Sequence, residues 1–398
     1  MGPAFLGEGA GFEGGDERVD VCFIGWEGIG HLDRITSGYA EGVDPFTHLM
    51  TGACLARAGF NRKAAYATAA MVVAADLPDI DTLWGFAGPV AAFQHHRGWT
   101  HTFLGMPIEA AAVVGVAWLW HRWRGRAPEQ SDQAGRQHAA VPMRWGLLFW
   151  FALVALLSHV ALDWTNDYGV RPFFPFNPRW YEGSIVFIAE PVLWAMLAAA
   201  LVAPALFGLI GSEVGARKER FRGRGWAIAA LVGMMALWGW RAVEKQRALA
   251  MVGGQDFGAE VLRTTVSPHP ITPFKWHAVV ETPMYYQMAV VDTLNGTVTA
   301  SAADMIYKPP TTLATLLAKR SWLGEAYLDW SSWPVVEEAA RGSDLEDSTL
   351  TVVTFRDLRF TYDVPFLNGR KKPPLEGIVK INDDRRVVGM EMDGRVQK

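Results

Sequence analysis

Residues 145–163 read WGLLFWFALVALLSHVALD. A helix that crosses a bilayer needs about 20 mostly apolar residues, and this stretch meets that length while carrying polar groups only towards its end. Two of them, His159 and Asp163, stand one helical turn apart, so a helix presents both side chains on one face. Ionisable groups at membrane depth are expensive and are normally functional. An imidazole and a carboxylate so placed bind one metal ion or bridge two. The stretch therefore predicts both an integral membrane protein and metal chemistry at one end of a span.

Further spans lie on either side. Residues 102–121 (TFLGMPIEAAAVVGVAWLWH), 184–211 (SIVFIAEPVLWAMLAAALVAPALFGLIG) and the shorter 225–242 (GWAIAALVGMMALWGWRA) are comparably apolar. Two shorter stretches, 46–60 and 64–76, predict a thin helical hairpin packed in the bundle. The connection 122–144 carries Arg122, Arg124, Arg126, Arg136 and Arg144, and 212–224 carries Arg217, Lys218, Arg220, Arg222 and Arg224. Basic short loops stay cytoplasmic, so residues 77–100, 164–183 and everything after 243 are expected on the other side. Arg241, Lys245 and Arg247 are a contrary signal at that outer edge.

Composition agrees with a membrane protein. Of 398 residues, 50% are hydrophobic and 20% charged, and there are 18 tryptophans, a residue favoured at membrane–water interfaces. A net charge of −4 carries no basic excess of the kind nucleic-acid binding requires, so no nucleic-acid partner is expected. Two cysteines, Cys22 and Cys54, exclude a disulfide framework and a cysteine zinc cage, so any metal must be held by His, Asp and Glu.

The predicted architecture is an all-α polytopic membrane bundle of about four to six helices, followed by an α+β soluble domain. Residues 1–42 are Gly-rich, lack the layout of a signal peptide and are expected to be disordered. Residues 43–243 form the membrane-embedded domain and 244–398 the extracytoplasmic one. In the latter, 275–282, 285–292, 297–301, 349–362 and 376–392 read as strands and 311–328 as a helix, giving one sheet with a helix. Asn295-Gly296 marks a hairpin turn, and a second turn is expected near Asp383-Asp384. Trp276, Tyr285 and Tyr286 read as core, and Pro268-His269-Pro270 as a linker.

On this topology His48, the acids of DLPDID (76–81), the HHRGWTH stretch (95–101) and the end of SHVALD (158–163) reach one surface. Asp79 and Asp81 follow a helix broken by Pro78, so their carboxylates are free to converge. His96 and His101 flank Gly98 before the next helix. Nitrogen and oxygen ligands without sulfur suit zinc, manganese or iron, and so many of them predict two divalent ions, zinc or manganese. Such a pair activates water and clamps an ester or phosphate oxygen. Arg97 is a candidate fork for that anion, against the alternative of a surface salt bridge. Glu109 marks an ion path if it faces polar partners at mid-bilayer, and supports an enzyme if it faces the metal cluster.

The chain resembles the YdjM-like predicted membrane-bound metal-dependent hydrolases. The resemblance rests on five segments in order: DPFTHLMTGACLARAG (44–59), LPDID (77–81), HHRGWTH (95–101), LSHVALDWTNDYG (157–169) and PFNPRWY (175–181). It implies that His48, Asp79, Asp81, His96, His101, His159 and Asp163 form the metal site, with Arg97 and Asp79 the residues expected to act in catalysis. Thr100, Asn166 and Gly169 are also motif positions. Asp76 is an extra acid, and Glu190 stands where many members have Asp. Family members commonly begin with Met where Val43 stands here, which predicts a translation start at that codon.

The expected function is hydrolysis of a lipid, or of another amphiphilic, lipid-linked ester or phosphoester, at the outer membrane–water boundary of the plasma membrane. The alternative is a non-enzymatic metal-binding membrane protein, structural or transporting. Room for water on the metal separates the two, since a structural site is closed.

Overall fold

The structure, a computed structural model, describes residues 44–125, 141–213, 222–339, 350–361 and 373–398. The expected disorder of residues 1–42, the start at Val43 and several loop cations (Arg126, Arg136, Arg217, Lys218, Arg220) lie outside the described residues.

Among the described residues, seven helices precede the first strand: α1 (Pro45–Ala58), α2 (Ala67–Asp76), α3 (Pro89–His95), α4 (Met106–Arg124), α5 (Trp145–Thr165), α6 (Pro191–Glu213) and α7 (Arg224–Gly253). Tight 3-10 turns occupy 77–87 and 99–101. Helices α5, α6 and α7 are long and apolar enough to cross a membrane. A fourth span exists if 89–101 and α4, bent by 81° at the break between them, count as one. At 14 and 10 residues, α1 and α2 are each too short to span alone. They lie against each other and against α5. Gly52 permits this approach, because a Cβ there would sit 2.7 Å from both the Ala75 Cβ and the Met71 carbonyl oxygen. The alanines of α2 act in the same sense, since small residues let helix backbones come close.

Three expected boundaries move. The span expected over 102–121 begins only at Met106. Residues 102–105 form a turn in which the Gly105 amide donates to the Thr102 hydroxyl at 2.9 Å, and Pro107 sets the first helical turn. The span expected from 184 begins at Pro191; a residue before proline is biased away from helix, and 184–190 run as irregular chain. The span expected to stop at 242 continues to Gly253, because VEKQRALAMV offers good helix formers and no breaker. At 30 residues α7 is about 45 Å long, longer than the hydrocarbon core. The boundary drawn at 243/244 falls within it.

That extra length carries the C-terminal region. Strands β1 (Arg263–Pro268), β2 (Lys275–Glu281), β3 (Tyr285–Asp292) and β4 (Thr297–Thr299) form an antiparallel sheet in that order, with β5 (Met305–Tyr307) also on β3. Trp276, Ala278 and Val280 face Ala248 and Val252 of α7. The alternate residue Val279 faces Trp333, Val335 and Leu358 on the other side, as a pleat of period two requires. Trp276 and Tyr286 are core residues, whereas Tyr285 is half-buried and donates to the Phe257 carbonyl at 2.6 Å.

A second antiparallel sheet runs β10-β9-β8-β7-β6, from Arg395–Val396, Val387–Met392, Gly377–Ile381, Thr351–Asp357 and Pro334–Glu338. The single expected sheet is therefore two. The expected helix 311–328 is a pair, α8 (Leu313–Lys319) and α9 (Trp322–Trp330), split where Ser321 caps α9 by accepting from the Gly324 amide. The expected strand 376–392 is a hairpin with its turn at 382–386, around Asp383-Asp384. Leu323, Tyr327 and Trp330 of α9 pack with Val353 and Phe355 of the sheet and with Val90, Phe93 and Tyr168 of the bundle. The second sheet thus seats, with α9, on the end of the bundle formed by 77–101 and 166–183.

Candidate metal centre

Each functional side chain is held by a local feature that its own sequence specifies. In DPFTH, Asp44 caps α1 by accepting from the Thr47 amide at 3.2 Å, and Pro45 occupies the first turn. This places His48 on the buried side of the helix. In LPDID the tight winding after α2 sends Asp79 to the Nε2 edge of His101 and Asp81 to its Nδ1 edge. In HHRGWTH the chain reverses at Arg97, whose φ of 51° lies in the left-handed region, and at Gly98, where a Cβ would meet the His95 carbonyl oxygen at 2.7 Å.

Four atoms converge. The Nε2 atoms of His101 and His159 are 3.0 Å apart. Asp163 Oδ2 lies 3.2 and 3.3 Å from them, and Asp79 Oδ1 3.5 and 3.6 Å. The Ala75 carbonyl, 2.7 Å from His159 Nδ1, can only accept, so Nδ1 donates. His101 Nδ1 lies 3.4 Å from the Asp81 carboxylate and 3.1 Å from the Thr100 hydroxyl. In a neutral ring protonated at Nδ1 the Nε2 lone pair is free. Two such nitrogens and two carboxylate oxygens, gathered in a buried setting, repel one another unless a proton or a metal cation lies among them. The donor set fits a metal ion, and among the described residues it is the one such set.

The surroundings hold these ligands in place. The backbone amide of Arg97 donates to Asp81 Oδ2 at 2.7 Å, and His96 Nδ1 is 3.3 Å from Oδ1. Burial acts to raise the Asp81 carboxyl, and His96 together with hydrogen bonds from His101 outweighs it, holding the group well below the usual carboxylate range. The Arg97 guanidinium pairs with Asp163 Oδ1 at 2.7 Å. It also donates to Asn166 Oδ1 at 3.1 Å and to the Gly169 carbonyl at 2.9 Å. Asn166 Oδ1 in turn accepts from the Tyr168 amide at 3.0 Å. Gly169 has a φ of 78°, and a Cβ there would lie 2.9 Å from the Tyr181 carbonyl oxygen.

The expected residues therefore divide. Asp79, His101, His159 and Asp163 meet. His48 stacks on His159 with ring centroids 3.9 Å apart, its Nε2 3.5 Å from Asp163 Oδ1. Asp81 stands behind His101, and His96 lies beyond Asp81, its ring centroid 6.2 Å from that of His101. Arg97 is buried among protein acceptors rather than at a surface. Glu109 sits in the first turn of α4 with both carboxylate oxygens buried and unbonded.

A cavity of about 20 Å³ adjoins the centre, touching Asp163, His48, Arg97, Asp44, Thr47 and Glu190. Asp44 and Thr47, both in the DPFTH segment, line it without having been among the expected site residues. Glu190 is engaged by Arg241 Nη2 at 2.6 Å and by the Ile271 amide at 3.3 Å. Arg241 also donates to the His269 carbonyl, and Lys245 to the Gly183 carbonyl at 2.7 Å. The contrary outer-edge cations are thus in part used up inside the protein.

Residues 43–248 match the YdjM inner membrane protein family, more than half of the chain, and the chain belongs to that family. It is also similar to the "Uncharacterized protein YfhP" of Bacillus subtilis (strain 168), 23% identical over 132 residues. That stretch is 33% of this chain and 35% of YfhP, so the chain spans about a third of the length of the curated relative it matches. No solved structure matches the chain significantly.

Proposed function

We propose that this YdjM-family membrane protein is a metal-dependent hydrolase that cleaves an ester or phosphoester bond of a lipid or lipid-linked amphiphile at the membrane surface. The observation that carries the reading is the cavity at Asp163 and His48, about 20 Å³ and so large enough for one water, beside the four converging ligand atoms. A divalent ion held there would supply a water of lowered pKa and polarise the scissile oxygen. Five of the six edges of the ligand set, 3.0 to 3.6 Å, suit a tetrahedron with bonds of about 2.0–2.1 Å, the zinc range.

The chain's own groups then have separate tasks. Ala75 and Asp81 hold the His159 and His101 rings at Nδ1. Arg97 orients Asp163 and ties it to the Asn166 turn, a positioning task in place of the anion clamp expected from sequence. His48 lines the cavity and its buried Nδ1 has no hydrogen-bond partner, which suits this ring to take a proton from a water there. The basic loops 122–144 and 212–224 support a cytoplasmic face opposite the site, with the sheets on the outer side.

One observation favours the alternative. Four protein ligand atoms would by themselves close a tetrahedral shell, as structural sites do. Metal analysis of the purified protein, beside hydrolysis assays on vesicles of phosphatidylglycerol, phosphatidylethanolamine and diacylglycerol, separates the two. The hydrolase reading expects a bound divalent ion and release of a water-soluble head group or fatty acid that a chelator abolishes. A tightly bound ion with no turnover of any lipid establishes the structural role instead.

A further inference from the structure

The PFNPRWY segment takes no part in the ion site, yet it builds something. With the end of α5 and the end of α9 it lines an open cleft of about 610 Å³, within the range of small-molecule sites. Four aromatic rings line it: Trp164, Trp180, Tyr181 and Trp330. Trp164 directly follows Asp163, so the cleft begins one residue from the ion site.

The walls are preorganised. Arg171 lies 4.7 Å over the Trp180 ring and donates to Asp329 Oδ2 at 3.0 Å, fixing both. Asn177 Nδ2 donates to the Tyr181 hydroxyl at 3.1 Å, and Arg179 lies 5.5 Å from that ring's centroid. Trp330 is locked from behind by its bond to the Tyr168 carbonyl at 3.1 Å. Fixed walls reduce the ordering cost of binding.

The lining selects the ligand. Asp329 and Glu182 are each already paired with an arginine of the protein, which leaves Arg179 as the one charge on offer among the lining residues. Rings and hydrogen-bonding groups outnumber it. A neutral ligand uses that lining if it has C–H faces for the indole rings and hydroxyls for Asn177, Asp329 and Ser332. We propose that this cleft binds a polyhydroxylated ring, the sugar of a free saccharide or of a glycosylated lipid. Binding there does not depend on hydrolysis at the neighbouring site.

The test uses the full chain in nanodiscs of phosphatidylglycerol and phosphatidylethanolamine, because sugar-headed detergents would compete. Saturation-transfer NMR with methyl β-glucoside reads free saccharide, and native mass spectrometry of nanodiscs containing monoglucosyl-diacylglycerol reads lipid-borne sugar. Transfer to the glucoside ring protons, or selective retention of the glycolipid, is expected. Trp164→Ala, at an exposed position, should weaken it about tenfold with the thermal midpoint unchanged, and Asp329→Asn, which also removes the partner of Arg171, should weaken it about tenfold with a lowered midpoint. Retention of the glycolipid alone assigns the ligand to the membrane, and binding of both probes assigns it to the sugar itself. Absence of both signals overturns the proposal, as does binding indifferent to both substitutions. Selective retention of phosphatidylglycerol that Arg179→Ala abolishes marks an anion site and overturns it too.

Discussion

Two buried polar clusters, one in the bundle and one beneath the second sheet, are built on opposite principles. Under the sheet, Arg359 meets Asp357 through Nε at 2.9 Å and Nη2 at 2.8 Å, donates to the Asp167 carbonyl at 2.7 Å and pairs with Glu182. Asp357 also accepts from the Ser331 hydroxyl and the Trp333 amide. Donors face acceptors, so the cluster is complete without a ligand. In the bundle His101, His159, Asp79 and Asp163 bring two ring nitrogens and two carboxylate oxygens to one point, where a proton or a metal ion must lie among them. Burial and charge alone do not distinguish the two; the convergence of the ligand atoms does. A matched network is cement, whereas four such atoms around a common point could hold a metal ion.

The strongest way to break this distinction is to remove a ligand. His159→Ala or Asp163→Ala should lower divalent-ion affinity by about three orders of magnitude, roughly 4 kcal/mol. Mass-spectrometric metal analysis of dialysed protein measures it. Full retention of metal by both variants would return the bundle cluster to the same class as the sheet cluster.

Arg359→Met addresses the other member. It strands Asp357, which burial pushes up to about 6 even with its donors present, and the loss of one partner from a buried pair costs about 3–5 kcal/mol. The thermal midpoint should fall while the metal stoichiometry holds. A variant that loses its metal instead would mean that the Asp167 contact transmits to Asn166 and Arg97.

A smaller, pH-dependent effect belongs to His277 on β2, which burial pushes down to about 4. The unfolded chain takes a proton near the ordinary histidine value and the folded chain does not. Stability is therefore complete above about pH 6.5 and is lost progressively as pH falls towards 4, by up to about 3 kcal/mol. His277→Gln, which can still donate to the Leu358 carbonyl, should flatten the thermal midpoint between pH 7 and pH 4.5. An unchanged acid slope would place the sensitivity elsewhere.

Much of this was readable in one dimension. The 145–163 stretch predicts its helix because its apolar run exceeds anything a soluble surface helix carries, and α5 spans Trp145–Thr165. His159 and Asp163 share a face because helical periodicity is local. Asn295-Gly296 and Asp383-Asp384 mark turns because the left-handed backbone a tight turn needs is a property of a few residues, and Gly296 has a φ of 68°. The division of the C-terminal region into two sheets was not readable. Strand pairing across loops is set by which faces find α7 and α9, a matter of global packing rather than propensity.

The same line runs through the site. By itself the sequence determined the ligand chemistry, nitrogen and oxygen without sulfur, and the helical and turn segments that bear it. Only the tertiary structure decided that His48 stacks on His159 while His96 lies beyond Asp81, and that Arg97 spends its guanidinium on Asp163, Asn166 and Gly169. The physical reason is one of range. Helix and turn geometry follow from neighbours a few residues apart, whereas a side chain's partners are fixed by contacts spanning more than sixty residues, such as Arg97 to Asp163, which no local pattern encodes.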